Sequence, residues 1–185
     1  MTLRNTTTRW GGVSQFLHWL IVALILTQVI LANIAMDLPI GVRKLAMFAR
    51  HKSVGLTILA LAAIRLLWRW TNPTPPLPNT LKPYERTLAQ VTHAALYLLL
   101  FAMPLTGWMM TSARGFPVSW FNLFQLPDLV PRNQELYEAM KETHHALAYT
   151  LGAVVFLHVA AALKHHFVLR DDVLRRMLPT ARKPG

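Results

Sequence analysis

The sequence predicts an all-α fold, an integral membrane four-helix bundle of up-down topology, and three observations carry that expectation. Hydrophobic residues make up 54% of the 185-residue chain and its mean hydropathy is +0.33, too apolar for an ordinary water-soluble domain. Four stretches are almost free of charge, each near the ~20 residues needed to cross a hydrocarbon layer about 30 Å thick. The 19 basic and eight acidic side chains, a net charge of +11, lie mainly between and beyond those stretches. They read as membrane-flanking charge, which makes the lipid bilayer the partner and excludes nucleic acid. A single domain, residues 1–185, accommodates all four stretches.

The first span is expected at residues 13–36. Arg4 and Arg9 precede it in the manner of a secretory signal, but the uncharged run that opens at Trp10 is too long for one and offers no small-residue cleavage site. It is therefore read as a retained span. The connection DLPIGVRKLAMFAR leads to the second span, residues 51–70, which Arg65 interrupts and Arg69 edges. TNPTPPLPNTLKP holds five of the twelve prolines and is expected as a stiff, non-helical connector. The third span, residues 88–111, carries His93 near its start and Pro104 and Gly107 as an expected kink. A longer connection follows, with Pro117, Pro127 and Pro131 as breakers and a short amphipathic helix expected at residues 133–140. The fourth span occupies residues 143–167.

Short connections make successive spans antiparallel. The N-terminus, the proline connector and the C-terminal tail then share one side, whose twelve bases, Arg182 and Lys183 among them, outnumber three acids for a net +9. Seven bases and five acids on the other side leave +2. The positive-inside rule makes the first side, with both termini, cytoplasmic.

These directions decide which histidines can meet. The 14 residues from His144 to His158 rise ~21 Å and fall about 40° short of whole turns, so both imidazoles share one helix face. His51 and His144 stand at the outer ends of parallel spans, and His18 and His158 share the inner level. Two pairs, one above the other, suit two six-coordinate haems, since neutral imidazole is a common axial ligand and bundles build cofactor sites between facing helices. Ala148 and Gly152 between the two fourth-span histidines, and Gly55 one turn beyond His51, leave room for a macrocycle or serve close helix packing. A zinc site would call for three or four close ligands including carboxylate or thiolate, and no acid lies in the charge-free cores. The absence of cysteine excludes disulfides, iron–sulfur ligation and covalent haem attachment.

Several blocks resemble the bacterial di-haem cytochrome b561 family of four-helix inner-membrane cytochromes. They are FLHW at residues 16–19, HKSVG at residues 51–55 followed by RLLWR, the proline run from Pro73 to Pro78, and ALYLLLFAMPLTG at residues 95–107. His144, then LHVAAALKHHF ending at Phe167, then LRRMLP complete the likeness, which covers nearly the whole chain. The resemblance implies His18, His51, His144 and His158 as axial ligands of two haem b groups. It also implies an oxidoreductase of the superoxide oxidase type, which oxidises superoxide at the outer face and reduces ubiquinone in the membrane. Related four-helix cytochromes act as anchors and electron conduits for a partner dehydrogenase or hydrogenase, which is the second reading.

Outside the ligand set, Arg65 lies 14 residues after His51 on the same face, where it would pair with a haem propionate or snorkel to the inner surface beside Arg69. Arg43, Lys44, Arg50 and Lys52 form a basic cluster around the outer ligand, suited to steering a small anion. Lys164, His165 and His166 end the fourth span as dipole-complementing charges, and the resemblance assigns Lys164 and His165 to ubiquinone. His93 is expected as a packing histidine. His145, turned by about 100° from its neighbour, is the poorer ligand of the two.

Overall fold

A computed structural model describes residues 2–78 and 81–179, so Arg182 and Lys183 lie outside the described residues. Helices α1 (Gly12–Asp37), α2 (Val42–Trp70), α3 (Pro83–Arg114) and α4 (Gln134–Leu163) form an all-α bundle, and each is long and apolar enough to cross a membrane. Strands β1 (Val118–Trp120) and β2 (Phe124–Leu126) pair antiparallel between α3 and α4. Successive helices pack along one another, α1 on α2, α2 on α3 and α3 on α4, while the backbone of α4 stands off from α1 and α2.

Local chemistry sets the helix ends. Leu38 is extended because Pro39 follows it, which ends α1, and Gly41 opens α2. Pro83 occupies the first turn of α3, where its missing N–H costs nothing, and the Glu85 carboxylate accepts from the Lys82 backbone N–H at 3.1 Å. Gly115, at φ 79°, ends α3 with its own N–H on Ser112 O and that of Phe116 on Thr111 O. The Asn133 side chain accepts from Leu136 N to cap α4.

The bundle is apolar outside as well as within, where Leu17, Ile21, Val54, Ile58 and Leu99 are buried. Leu26, Ile30, Leu98, Phe156 and Leu157 are exposed, whereas Ser14, Gln15, Ser53, Thr111 and Ser112 are buried. Polar side chains on the exposed surface satisfy themselves within their own helix: Thr27 donates to Ala23 O, Asn33 to Val29 O and Thr150 to Ala146 O.

Three sequence expectations are corrected. The stretch VRKLAMFAR is the first part of α2, nine residues ahead of the expected start at His51, because its charges disqualify it as a span without disqualifying it as a helix. The helix expected at residues 133–140 is continuous with the fourth span. The connection after α3 contains a hairpin, in which Phe121 (φ 47°) and Asn122 (φ 59°) make the turn. Ser53 Oγ donates to Ser119 O and accepts from Phe121 N, and Trp120 Nε1 donates to Thr57 Oγ1 at 3.0 Å, which pins the hairpin to α2 just beyond His51.

At the opposite end the N-terminal segment, the proline connector and the C-terminal tail are laced together. Asn5 accepts from Gly11 N and Ser14 Oγ and donates to Pro73 O. Gln15 and Trp19 donate to Arg176 O and Met177 O, and Arg176 donates to Pro76 O. Gly11 closes this knot: a Cβ there would sit 2.4 Å from the Arg4 carbonyl carbon and 2.5 Å from Leu3 O, both backbone atoms. Gly11→Ala is therefore expected to destabilise the protein by about 2 kcal/mol, read as a lower midpoint of thermal unfolding in detergent.

Candidate functional site

The histidines of three helices meet on the face of α4 that looks into the bundle. His18 on α1 and His158 on α4 have ring centres 6.3 Å apart with planes at 76°. His51 on α2 and His144 on α4 lie 6.5 Å apart with planes at 73°. Each pair spans two helices whose backbones pack little against one another, and no residue of α4 is fully buried. Among the described residues no three His, Asp or Glu side chains converge as a metal-ion cluster.

The environment of His144 fixes its tautomer. Thr106 donates its single hydroxyl proton back to the α3 carbonyls of Ala102 and Met103, at 2.9 Å each. Its oxygen, 3.1 Å from His144 Nδ1, is then an acceptor, which puts the ring proton on Nδ1 and leaves the Nε2 lone pair free. Gly107 allows this approach, because a Cβ there would stand 3.1 Å from His144 Cε1. Thr106 and Gly107 thus seat the ring, a role that the sequence alone did not reveal. His51 Nδ1 is buried and, among the described residues, has no hydrogen-bond partner. Gly55 is taken up by helix packing, its missing Cβ lying 2.9 Å from Gln28 Nε2, whereas a Cβ at Gly152 would meet nothing within 4 Å.

The inner level holds more than its pair. His93 on α3 packs against the His158 ring, with centres 5.4 Å apart and planes at 69°. Arg65 on α2 is within electrostatic reach of His18, His93 and His158. Its Nε donates to Tyr97 OH at 3.2 Å, and its NH1 is buried with no partner among the described residues. His145 is exposed and joins neither pair.

The remaining candidates divide between the two ends. Arg43, Lys44, Arg50 and Lys52 ride on the first three turns of α2. Arg43 and Arg50 are exposed, while Lys44 donates to Leu38 O at 3.0 Å and Lys52 to Pro117 O at 3.2 Å. Arg50 also lines a cleft of about 250 Å³ with Ala46, Ala49, Ser53, Phe121 and Asn122. At the other end Lys164 pairs with Glu85 at 3.2 Å and His165 Nδ1 with Asp171 Oδ2 at 2.5 Å. Both sit in a widened helical turn, Lys164–Val168, that continues α4. Such turns recur at functional sites, and Asp171 is a partner that sequence reading did not single out.

Comparison with known proteins agrees with the fold. The family profile described as prokaryotic cytochrome b561 matches residues 9–180. Cytochrome b561 homolog 2 of Escherichia coli (strain K12) is 34% identical over 181 residues, 96% of this chain and 95% of its own. The probable superoxide oxidase CybB of Yersinia pestis is 38% identical over 132 residues, 71% of this chain and 74% of its own. Cytochrome b561 homolog 1 of Escherichia coli (strain K12) is 29% identical over 181 residues, 92% and 97% of the two chains. With four membrane-spanning helices and a match over nearly its whole length, the chain belongs to the prokaryotic cytochrome b561 family of haem b-binding, electron-transferring membrane proteins.

Proposed function

We propose that the chain is a di-haem superoxide:ubiquinone oxidoreductase of the bacterial inner membrane, with both termini cytoplasmic. Haem b, when bound, supplies a one-electron carrier at each of two levels. His18 with His158 would hold the inner group and His51 with His144 the outer. The observation that carries this reading is the separation of the rings. Two imidazole nitrogens each about 2.0 Å from a metal between them, and each about 1.1 Å from its ring centre, require centres about 6.2 Å apart. The two pairs stand at 6.3 and 6.5 Å. The buried, unpaired NH1 of Arg65 suits a haem propionate, which would satisfy a donor that otherwise carries a desolvation cost.

At the outer face two superoxide anions each lose one electron and leave as dioxygen. Arg43 and Arg50 present charge to solvent there, while Lys44 is anchored on Leu38 O and Lys52, next to His51 in the chain, on Pro117 O. At the inner face one ubiquinone takes the two electrons and two protons to become ubiquinol. His165, held by Asp171, is positioned to pass a proton, and Lys164 lies beside it. The probable superoxide oxidase of Yersinia pestis supports this choice of donor. The exposed apolar residues Leu123 and Phe124 on the hairpin favour instead a partner redox protein docking on the outer face.

The first experiment is a pyridine haemochrome titration of the purified protein after acid–acetone extraction. Two extractable haems per chain are expected; one or none would overturn the constellation.

A further inference from the structure

Each axial candidate on α4 faces a side chain of α3, and the two contacts are in register. On α3 thirteen residues separate His93 from Thr106; on α4, running the opposite way, fourteen separate His144 from His158. At ~1.5 Å per residue both intervals are about 20 Å, so Thr106 meets His144 at one level and His93 meets His158 at the other. Thr106 takes the Nδ1 proton of His144. The His93 and His158 ring centres are 5.4 Å apart. An N–H···N hydrogen bond of about 2.9 Å between imidazoles, with about 1.1 Å from each nitrogen to its ring centre, calls for about 5.1 Å, so the two rings, edge to face at 69°, stand a few tenths short of a formed bond. His93 is also too near His158 to be its trans partner on one metal, which needs about 6.2 Å; His18 meets that requirement.

We propose that His93 is the positioning residue of the inner site. A nitrogen of His93 accepts the proton that His158 carries on the ring nitrogen turned away from the metal, as Thr106 does for His144. This inference rests on the di-haem reading above. It gives α3, which supplies no ligand, one supporting side chain for each site. An acceptor on the outer nitrogen makes a coordinating imidazole a stronger donor and fixes its ring plane. Withdrawing that acceptor should favour the reduced form of the metal it serves.

The test is a redox titration of the haem-loaded protein, followed by the Soret and α bands and by the low-spin ferric electron paramagnetic resonance signals. In His93→Leu one of the two redox transitions should move to higher potential, one ferric signal should shift, and the other transition should stay where it is. His93→Gln, which keeps an acceptor, should restore most of the original potential and covers the case in which the leucine variant assembles poorly. Unchanged potentials in both variants would overturn the proposal. So would loss of one haem in His93→Gln to the extent seen in His158→Ala, since His93 would then be a ligand. A wild-type protein with fewer than two haems would fail the underlying reading itself, before any variant is compared.

Discussion

Purified His158→Ala protein is expected to carry one haem per chain in place of two, and the haem it keeps is the outer one. Each iron would be held by one nitrogen from α4 and one from α1 or α2, so removing the α4 nitrogen at one level leaves half a ligand set there and a full set about 21 Å away. His51→Ala is the complementary case and loses the outer group. The two losses are separable because the pairs share no ring: His18 meets His158, and His51 meets His144. The check is haem-to-protein ratio together with the potential of the surviving transition, which must differ between the two variants. Loss of both groups in each variant, with the fold intact by circular dichroism, would mean that the levels are not independent. The same residual potential in both would refute the pairing.

Haem reduction by superoxide is expected to be fast, to slow as ionic strength rises, and to slow by ~10-fold in Arg50→Glu at low salt. Superoxide is a monovalent anion, so its encounter rate responds to charge near the entry point and loses that response once the Debye length, about 10 Å at 0.1 M salt, falls below the separation. Arg50 is the side chain to reverse: it is exposed, lines the cleft between α2 and the hairpin, and lies one residue from His51. Lys44 and Lys52 are poorer choices, since their ammonium groups hold Leu38 O and Pro117 O and reversing either would also disturb the backbone. Stopped-flow mixing with superoxide, with and without ubiquinone, measures both halves of the reaction. Haem reduction that is slow and indifferent to salt would favour the docking of a partner redox protein.

Much of this was legible in the sequence because a membrane simplifies the reading. Charge-free runs mark spans, and alternating direction follows from short connections, so the His18–His158 and His51–His144 pairs could be expected from residue numbers. What escaped was set by interactions that hydropathy does not register. The start of α2 at Val42 was hidden by Arg43, Lys44 and Arg50, because charge argues against lipid and not against helix. The hairpin was hidden because its turn is made by Phe121 and Asn122 in left-handed conformation without a glycine to announce it. Thr106 was invisible as a histidine partner until the α3–α4 register was known. Once two antiparallel helices are recognised, residues whose numbers sum alike share a level, and that signal would have found it.

The sparse packing of α4 on the first two helices also bears on how the protein comes into being. Paired as they are inserted, α1 with α2 and α3 with α4 can each bury an apolar face as a hairpin before the whole chain is in place. The contact between α4 and the first two helices is different in kind, for within the spans it is made by His18, His51, His144 and His158, imidazoles that would otherwise sit as polar groups in an apolar setting. Its free energy comes from what the imidazoles bind, and a ligand that binds only the closed form stabilises it by mass action. Protein depleted of haem would lack that stabilisation, which a lower midpoint of thermal unfolding in detergent would show.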